Sequence, residues 1–343
     1  MGGGIKWTVI LIMKIQLSHK FENIADADNL LEAWREFLRG KGNKPDVQEF
    51  SLRLMNNILS LHRDLINHKY RHGGYQCFKI KDPKTRIIHK ASVRDRLLHH
   101  AVYRLLYPFF DKTFISDSFS CRKNKGTHKS LDRFRFFARS VSKNNTRICW
   151  ILKGDIKKFF ASIGQNILLE ILRKYIPDND IICLLREIIF SFRSAEYGTG
   201  LPLGNLTSQL FANIYMNEFD QFVKHKLKVK YYIRYADDFV ILSENKKYLK
   251  SKIGPINDFL QNELKLTLHP DKIFIKTLSS GMDFLGWKHF FDHRILRNTT
   301  RVRLIKNIQN SDYNSAALNS YFGLLRHGNT HKIKRKILRY LLS

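Results

Sequence analysis

The stretch Tyr231-Tyr-Ile-Arg-Tyr-Ala-Asp-Asp-Phe-Val240 decides how this chain reads. Two adjacent carboxylates, Asp237 and Asp238, stand between an aromatic run and a second apolar run, Phe239-Val-Ile-Leu242. Aromatic and β-branched residues favour a pleated surface and Asp tolerates turns, so the flanks read as two strands joined by a tight turn. Side chains alternate along a strand, so the two acids cannot both point the same way. The expectation is that Asp237 faces a shared metal site and that alternation turns Asp238 aside into a supporting role. Such a site needs a third carboxylate from elsewhere.

Asp155 supplies it. Cys149-Trp-Ile-Leu-Lys-Gly-Asp155 reads as a buried strand ending in an acid, followed by Ile156-Lys-Lys-Phe-Phe-Ala-Ser-Ile163. Alone, an Asp at a strand end is most often a helix cap. Together with a pair of acids at a hairpin tip about 80 residues on, it can hold two divalent ions. Ions about 4 Å apart activate a 3′-hydroxyl and stabilise a phosphoryl group in transfer. An all-oxygen ligand set selects Mg²⁺.

The composition fits a nucleic-acid partner. The 343 residues carry 60 Lys+Arg against 30 Asp+Glu, a formal charge of +30, and 43% are hydrophobic. That is a folded protein whose self-repulsion a polyanion would relieve. A ribosomal or membrane-surface protein is the other reading of charge alone. The four dispersed cysteines suggest neither a disulfide framework nor a zinc ribbon. Trp7 to Met13 is too short to span a bilayer. It is expected to be an N-terminal strand, or to precede a true start at Met13. These features predict a cytoplasmic protein with no membrane partner.

Along the chain, Asp28 is expected to cap a helix reaching Leu38, and a second helix runs from Pro45-Asp46 to Leu65. Tyr75 to His89 reads as a hairpin turning at Asp82-Pro83-Lys84. Lys79, Lys81, Lys84, Arg86 and Lys90 are expected on one face of it, and Phe78, Ile80, Ile87 and Ile88 on the other. Ser92 to Phe110 is an amphipathic helix in which His99 and His100 are packing residues. A basic loop, Ser118 to Thr127, offers Arg122 and Lys125 to a polyanion. Gly198-Thr-Gly-Leu-Pro-Leu-Gly204 must be a non-helical turn, with Asn205 or Thr207 capping the helix that follows. A further helix is expected over 253–264. Lys272 is a candidate general acid for a leaving pyrophosphate. Gly281 to Trp287 reads as a short apolar strand and turn. From Arg294 to Ser343 eleven Lys+Arg accompany one acid, Asp312, while Leu318, Tyr321, Phe322, Leu324 and Leu325 keep a packed face, as in a basic helical bundle gripping a duplex.

Taken in order, Asp155 with Phe160 five residues on, Leu201-Pro-Leu-Gly204, Tyr235-Ala-Asp-Asp238, Leu268-x-Pro-x-Lys272 and Phe284-Leu-Gly286 resemble the motifs of reverse transcriptases. The resemblance spans about Tyr75 to Leu325. It implies an α+β right-hand polymerase fold: fingers with the N-terminal helices over 1–145, a palm of antiparallel sheet and helices over 146–290, and a basic helical thumb over 291–343. It implies that Asp155, Asp237 and Asp238 bind two Mg²⁺ (Mn²⁺ able to substitute), with Ile156 beside them and Lys272 as acid. Arg86, Phe160, Leu203, Gly204 and Gln209 would contact the dNTP, Phe160 as the gate against a ribose 2′-hydroxyl. Lys79, Lys84, Arg122, Lys125 and Arg326 would contact nucleic acid.

Within the superfamily, Leu203-Gly-Asn-Leu-Thr-Ser-Gln209 most resembles the enzymes of diversity-generating retroelements. Most relatives have Gln at the Leu203 position. That implies an error-prone enzyme, bacterial or phage-encoded, copying a structured template RNA, holding an RNA/DNA hybrid and working with a small basic accessory protein. Another bacterial reverse transcriptase, from phage defence or a group II intron lineage, is the alternative. A non-catalytic RNA-binding scaffold is the third reading.

Overall fold

The computed structural model describes residues 15–81, 85–194, 196–310 and 315–342. Trp7 to Met13, and the turn at Asp82, Pro83 and Lys84, lie outside them. By internal packing the chain divides into Met1–Phe114 with Lys158–Glu218, and Ile115–Lys157 with Phe219–Ser343. This division differs from the expected one. Residues 115–145 and the C-terminal helical segment fall in the unit that holds 146–157, whereas 158–218 fall with the N-terminal helices.

The first unit is mostly helical. Asp26, not Asp28, caps the helix Ala27–Leu38 by accepting from the Asp28 amide. The expected second helix is two, Pro45–Leu52 and Leu54–Ile66, because Arg53 leaves helical geometry at φ −123°, ψ 38°. Strands β1 (Tyr75–Lys81) and β2 (Thr85–Ala91) form the hairpin. Its register pairs Phe78 with Ile88, Lys79 with Ile87, and Ile80 with Arg86. Directly opposite residues share a face. Charge and apolar residues are therefore mixed on both faces, not segregated, since the register aligns even positions with even. Helix Val93–Asp111 follows, capped by Ser92. Its buried Asp95 accepts from Tyr70 Oη at 2.7 Å and from the Gly73 amide at 3.1 Å, which fixes the chain just before β1. His99 is fully enclosed, and desolvation holds its imidazole neutral, as a packing residue should be.

The second unit is built on a four-stranded antiparallel sheet of β3 (Trp150–Asp155), β4 (Tyr232–Tyr235), β5 (Asp238–Ser243) and β6 (Phe274–Thr277), ordered β4-β5-β3-β6. A three-stranded sheet of β7 (Met282–Phe284), β8 (Trp287–His289) and β9 (Arg294–Leu296) follows. Leu285 and Gly286, at φ 48° and 84°, join β7 to β8 with the double positive φ of a type I′ turn. One core gathers Ile151, Val240 and Leu242 of the larger sheet with Phe134 and Phe137 of helix Thr127–Val141, and with Phe284, Trp287 and Leu304. Helix Lys246–Asn262 begins seven residues before the expected start, capped by Asn245 and carrying Pro255 within it. Helices Asn298–Asn310, Ser315–Leu325 and His331–Leu342 complete the unit. Among the described residues no helix is long and apolar enough to cross a membrane.

Gly154 lies opposite Phe239 across β3 and β5, and a Cβ there would meet the Phe239 ring at 2.3 Å. Gly154→Ala should therefore destabilise the protein by roughly 1–3 kcal/mol, the usual cost of overpacking. A urea midpoint equal to wild type would contradict this.

Candidate active site

The carboxylates are assembled by strand register. β4 and β5 pair Tyr235 with Asp238, leaving Ala236 and Asp237 as a two-residue turn. Ala236 takes φ 55°, a left-handed value that a non-glycine residue holds only when its surroundings impose it. The same β5 pairs with β3 so that Asp238 lies directly opposite Asp155. The two side chains thus share one face of the sheet. This corrects the expectation that alternation turns Asp238 aside: alternation places it against Asp155, and Asp237 is the residue in the turn beside them.

Two lysines hold these acids. Lys272 Nζ lies 2.7 Å from Asp155 Oδ1, and the Asp155 carbonyl accepts from the His269 amide, which brings the 268–272 segment alongside β3. Lys153 Nζ lies 3.0 Å from Asp238 Oδ2. Burial pushes the Asp238 carboxyl up to about 6; Lys153 opposes the rise, and the negative charges of Asp155 and Asp237 add to it. Asp238 Oδ1 is buried without a hydrogen-bond partner. Among the described residues no three acidic, His or Cys side chains are drawn together as a ready-made cation site. The donor chemistry nevertheless fits a hard cation: mutually repelling carboxylates, one with an orphaned oxygen, and no sulfur or imidazole among the three. Ile156 is buried and bridges Leu268.

The turn itself is braced from beneath by residues the sequence reading passed over. Arg234 is fully buried; its guanidinium donates to both oxygens of the equally buried Asp220 at 2.7 and 2.6 Å. The same group donates to the Ala236 carbonyl at 3.0 Å and to Ser118 Oγ at 3.0 Å. Tyr232 Oη donates to Asp220 Oδ1 at 2.7 Å. The only sequence signal was a charged residue at an inward position of an apolar strand.

The expected nucleotide contacts lie in the first unit. The Phe160 carbonyl accepts from the Leu201 amide at 2.8 Å, and Gly200 from the same corner donates to Ile163. Phe160 is half-buried. The buried Gln165, also unanticipated, donates to the carbonyls of Ile189, Phe192 and Gly200 and holds this corner. Leu203 and Asn205 clasp His89 of β2: the His89 amide donates to the Leu203 carbonyl, and Asn205 Nδ2 donates to the His89 carbonyl. Gly204 between them has φ 107°, and a Cβ there would lie 2.7 Å from Ile88 Cγ2, so any other residue would be strained and would have to displace Ile88. Arg86, on β2, and Gln209 are exposed, as is Lys79; Lys84 lies outside the described residues.

Two of the expected polyanion contacts are otherwise engaged. Arg122 donates to the carbonyls of Ile115 and Ser118, and Lys125 to that of Ser116. An irregular loop leaves carbonyls without ladder partners, and these cations satisfy them. Arg326 is exposed.

The family model described as reverse transcriptase (RNA-dependent DNA polymerase) matches residues 79–289. The chain belongs to the reverse transcriptase family. Protein YkfC of Escherichia coli is 25% identical over 81% of this chain and 83% of its own length. The group II intron-encoded protein LtrA of Lactococcus lactis is 23% identical over 66% of this chain, which spans only 47% of LtrA. A structure of telomerase from Candida albicans, with a fragment of telomeric RNA, aligns over 79% of this chain and 56% of its own at 13% identity and a TM-score of 0.50. That likeness supports the α+β right-hand polymerase fold.

Asp220→Asn would leave Arg234 a buried charge without its counter-charge, a loss of about 3–5 kcal/mol. The double replacement Arg234→Met, Asp220→Leu should recover most of that stability but not the turn. Thermal melting of the three proteins checks this; equal melting of Asp220→Asn and wild type would contradict it.

Proposed function

We propose that this protein copies a structured template RNA into cDNA, extending a primer 3′-hydroxyl with dNTPs, and that Asp155, Asp237 and Asp238 are its catalytic acids. The observation that carries the reading is the strand register that sets Asp238 against Asp155, with Asp237 in the adjoining turn. Two Mg²⁺, or Mn²⁺ in their place, would be held by these carboxylates and the Ile156 main chain; when bound, they supply activation of the hydroxyl and charge neutralisation at the phosphates.

The chain's own residues do the rest. Lys272, paired with Asp155 and 36% exposed, can carry a proton to the pyrophosphate once the acid has another partner. Phe160 excludes a 2′-hydroxyl by bulk, and Arg86 meets the triphosphate. Gly204 admits close approach, and Gln209 borders the nucleotide. Lys79, Lys84 and Arg326 meet phosphates of the template RNA or the RNA/DNA hybrid, which makes binding steeply salt-dependent.

Within the family, the Leu203-Gly-Asn-Leu-Thr-Ser-Gln209 corner supports a mutagenic enzyme of a diversity-generating retroelement, with a small basic accessory protein. An aliphatic Leu203 removes one fixed hydrogen bond at the nucleotide and with it some discrimination. The match to LtrA favours the second reading, a group II intron-like enzyme.

Primer extension on an RNA template with Mg²⁺ tests the proposal. Wild type should extend, and Asp237→Ala should lose about 10³-fold or more of the rate, as expected when preorganised charge stabilisation is removed. Equal extension by both, or by neither, would overturn it, the latter in favour of an RNA-binding scaffold. Errors concentrated opposite template adenines would favour the diversity-generating lineage, and uniform errors the intron-like one.

A further inference from the structure

Alternation along β3 puts Ile151, Lys153 and Asp155 on one face, and register puts Leu242, Val240 and Asp238 beside them. Ile151, Val240 and Leu242 belong to the apolar core, and Asp155 and Asp238 are the acids. Lys153 therefore stands where the core face becomes the acidic face. It is 7% exposed, and a lysine that buried is costly unless it is paired and hydrogen-bonded. Its ammonium meets both demands: it lies 3.0 Å from Asp238 Oδ2 and donates to the Asp283 carbonyl of β7 at 2.9 Å. Its charge also lies 5.9 Å from the centre of the Phe284 ring.

Lys272 makes a useful contrast. It is 36% exposed and can swing away from Asp155, whereas Lys153, its side chain 9% exposed and held by a main-chain carbonyl, has nowhere to go. The two lysines are thus not equivalent: one is replaceable at the acids and one is fixed. The fixed one takes a single oxygen of Asp238 and leaves Oδ1 buried and without a partner.

We propose that Lys153 is a positioning residue for nucleotidyl transfer, which locks the Asp238 carboxylate by Oδ2, reserves Oδ1 for a cation, and ties the acid to the main chain of β7. The proposal rests on the polymerase reading and deepens it. Lys153 touches no substrate; it acts through Asp238 and offsets part of the negative charge gathered there.

The test compares Lys153→Met, which keeps the apolar stem and removes the charge, with Lys153→Arg and with the double variant Lys153→Met, Asp238→Asn. The first readout is thermal melting of the full chain without nucleic acid, with and without Mg²⁺. Lys153→Met should melt lower than wild type without Mg²⁺ and gain more from Mg²⁺ than wild type does, because the cation replaces the missing counter-charge. The double variant should lose that extra gain, as coupled partners do. The second readout is primer extension: kcat of Lys153→Met should fall roughly 10- to 100-fold, as for other supports of metal ligands, with dNTP KM changed far less. Lys153→Arg, which keeps the charge, should recover part of the loss. An equal Mg²⁺ shift in Lys153→Met and wild type, or an unchanged kcat, would overturn the proposal and make Lys153 core filling. Absence of extension in wild type would instead refute the polymerase reading, while the melting comparison would still decide the pairing of Lys153 with Asp238.

Discussion

The buried pair of Arg234 and Asp220 is the contact on which the acidic tip depends. Burying two charges costs several kcal/mol each, and their attraction does little more than offset it, so the pair is poor evidence for stability. Its consequence is positional. Arg234 holds the Ala236 carbonyl of the β4–β5 turn while it is itself bound to Asp220 and Ser118, so the turn is tied through one side chain to two separate segments. The left-handed Ala236 is held in place by this clamp.

Above that brace the local charge is nearly balanced by design of the strands. Asp155 and Asp238 lie opposite one another at one end of β3 and β5, with Asp237 in the adjoining turn, and each of the paired acids meets a lysine, Lys272 and Lys153 respectively. In a chain of formal charge +30 the acids are the scarce species, and two of them are set directly opposite one another here. The remaining excess of cations suits a polyanion.

Much of this was legible in the sequence because it is local. The strand ending at Asp155, the hairpin around Ala236, the helix after Ser92 and the Gly204 corner each follow from a few neighbouring residues, and the structure has all four. What escaped depends on register and long-range contact. The orientation of Asp238 is set by its partner on β3, not by its own strand, so alternation along one strand gave the wrong face. The mixing of charge on the β1–β2 hairpin has the same origin. Arg234, Asp220 and Gln165 went unremarked since a polar residue in an apolar run announces burial but not its partner. Arg122 and Lys125 looked available for a polyanion because sequence does not reveal which carbonyls a loop leaves unsatisfied.

The central claim is that Asp155, Asp237 and Asp238 form one cation-binding cluster on a braced turn. Metal-directed cleavage tests it most directly: Fe²⁺ is exchanged for Mg²⁺ in the protein with primer and RNA template, peroxide is added, and the cut sites in the chain are sequenced. The account predicts backbone cuts clustered around Asp155 and around Ala236 to Asp238, suppressed by excess Mg²⁺ and lost in Asp155→Asn. Cuts elsewhere with these segments intact, or the same cuts in Asp155→Asn, would contradict it.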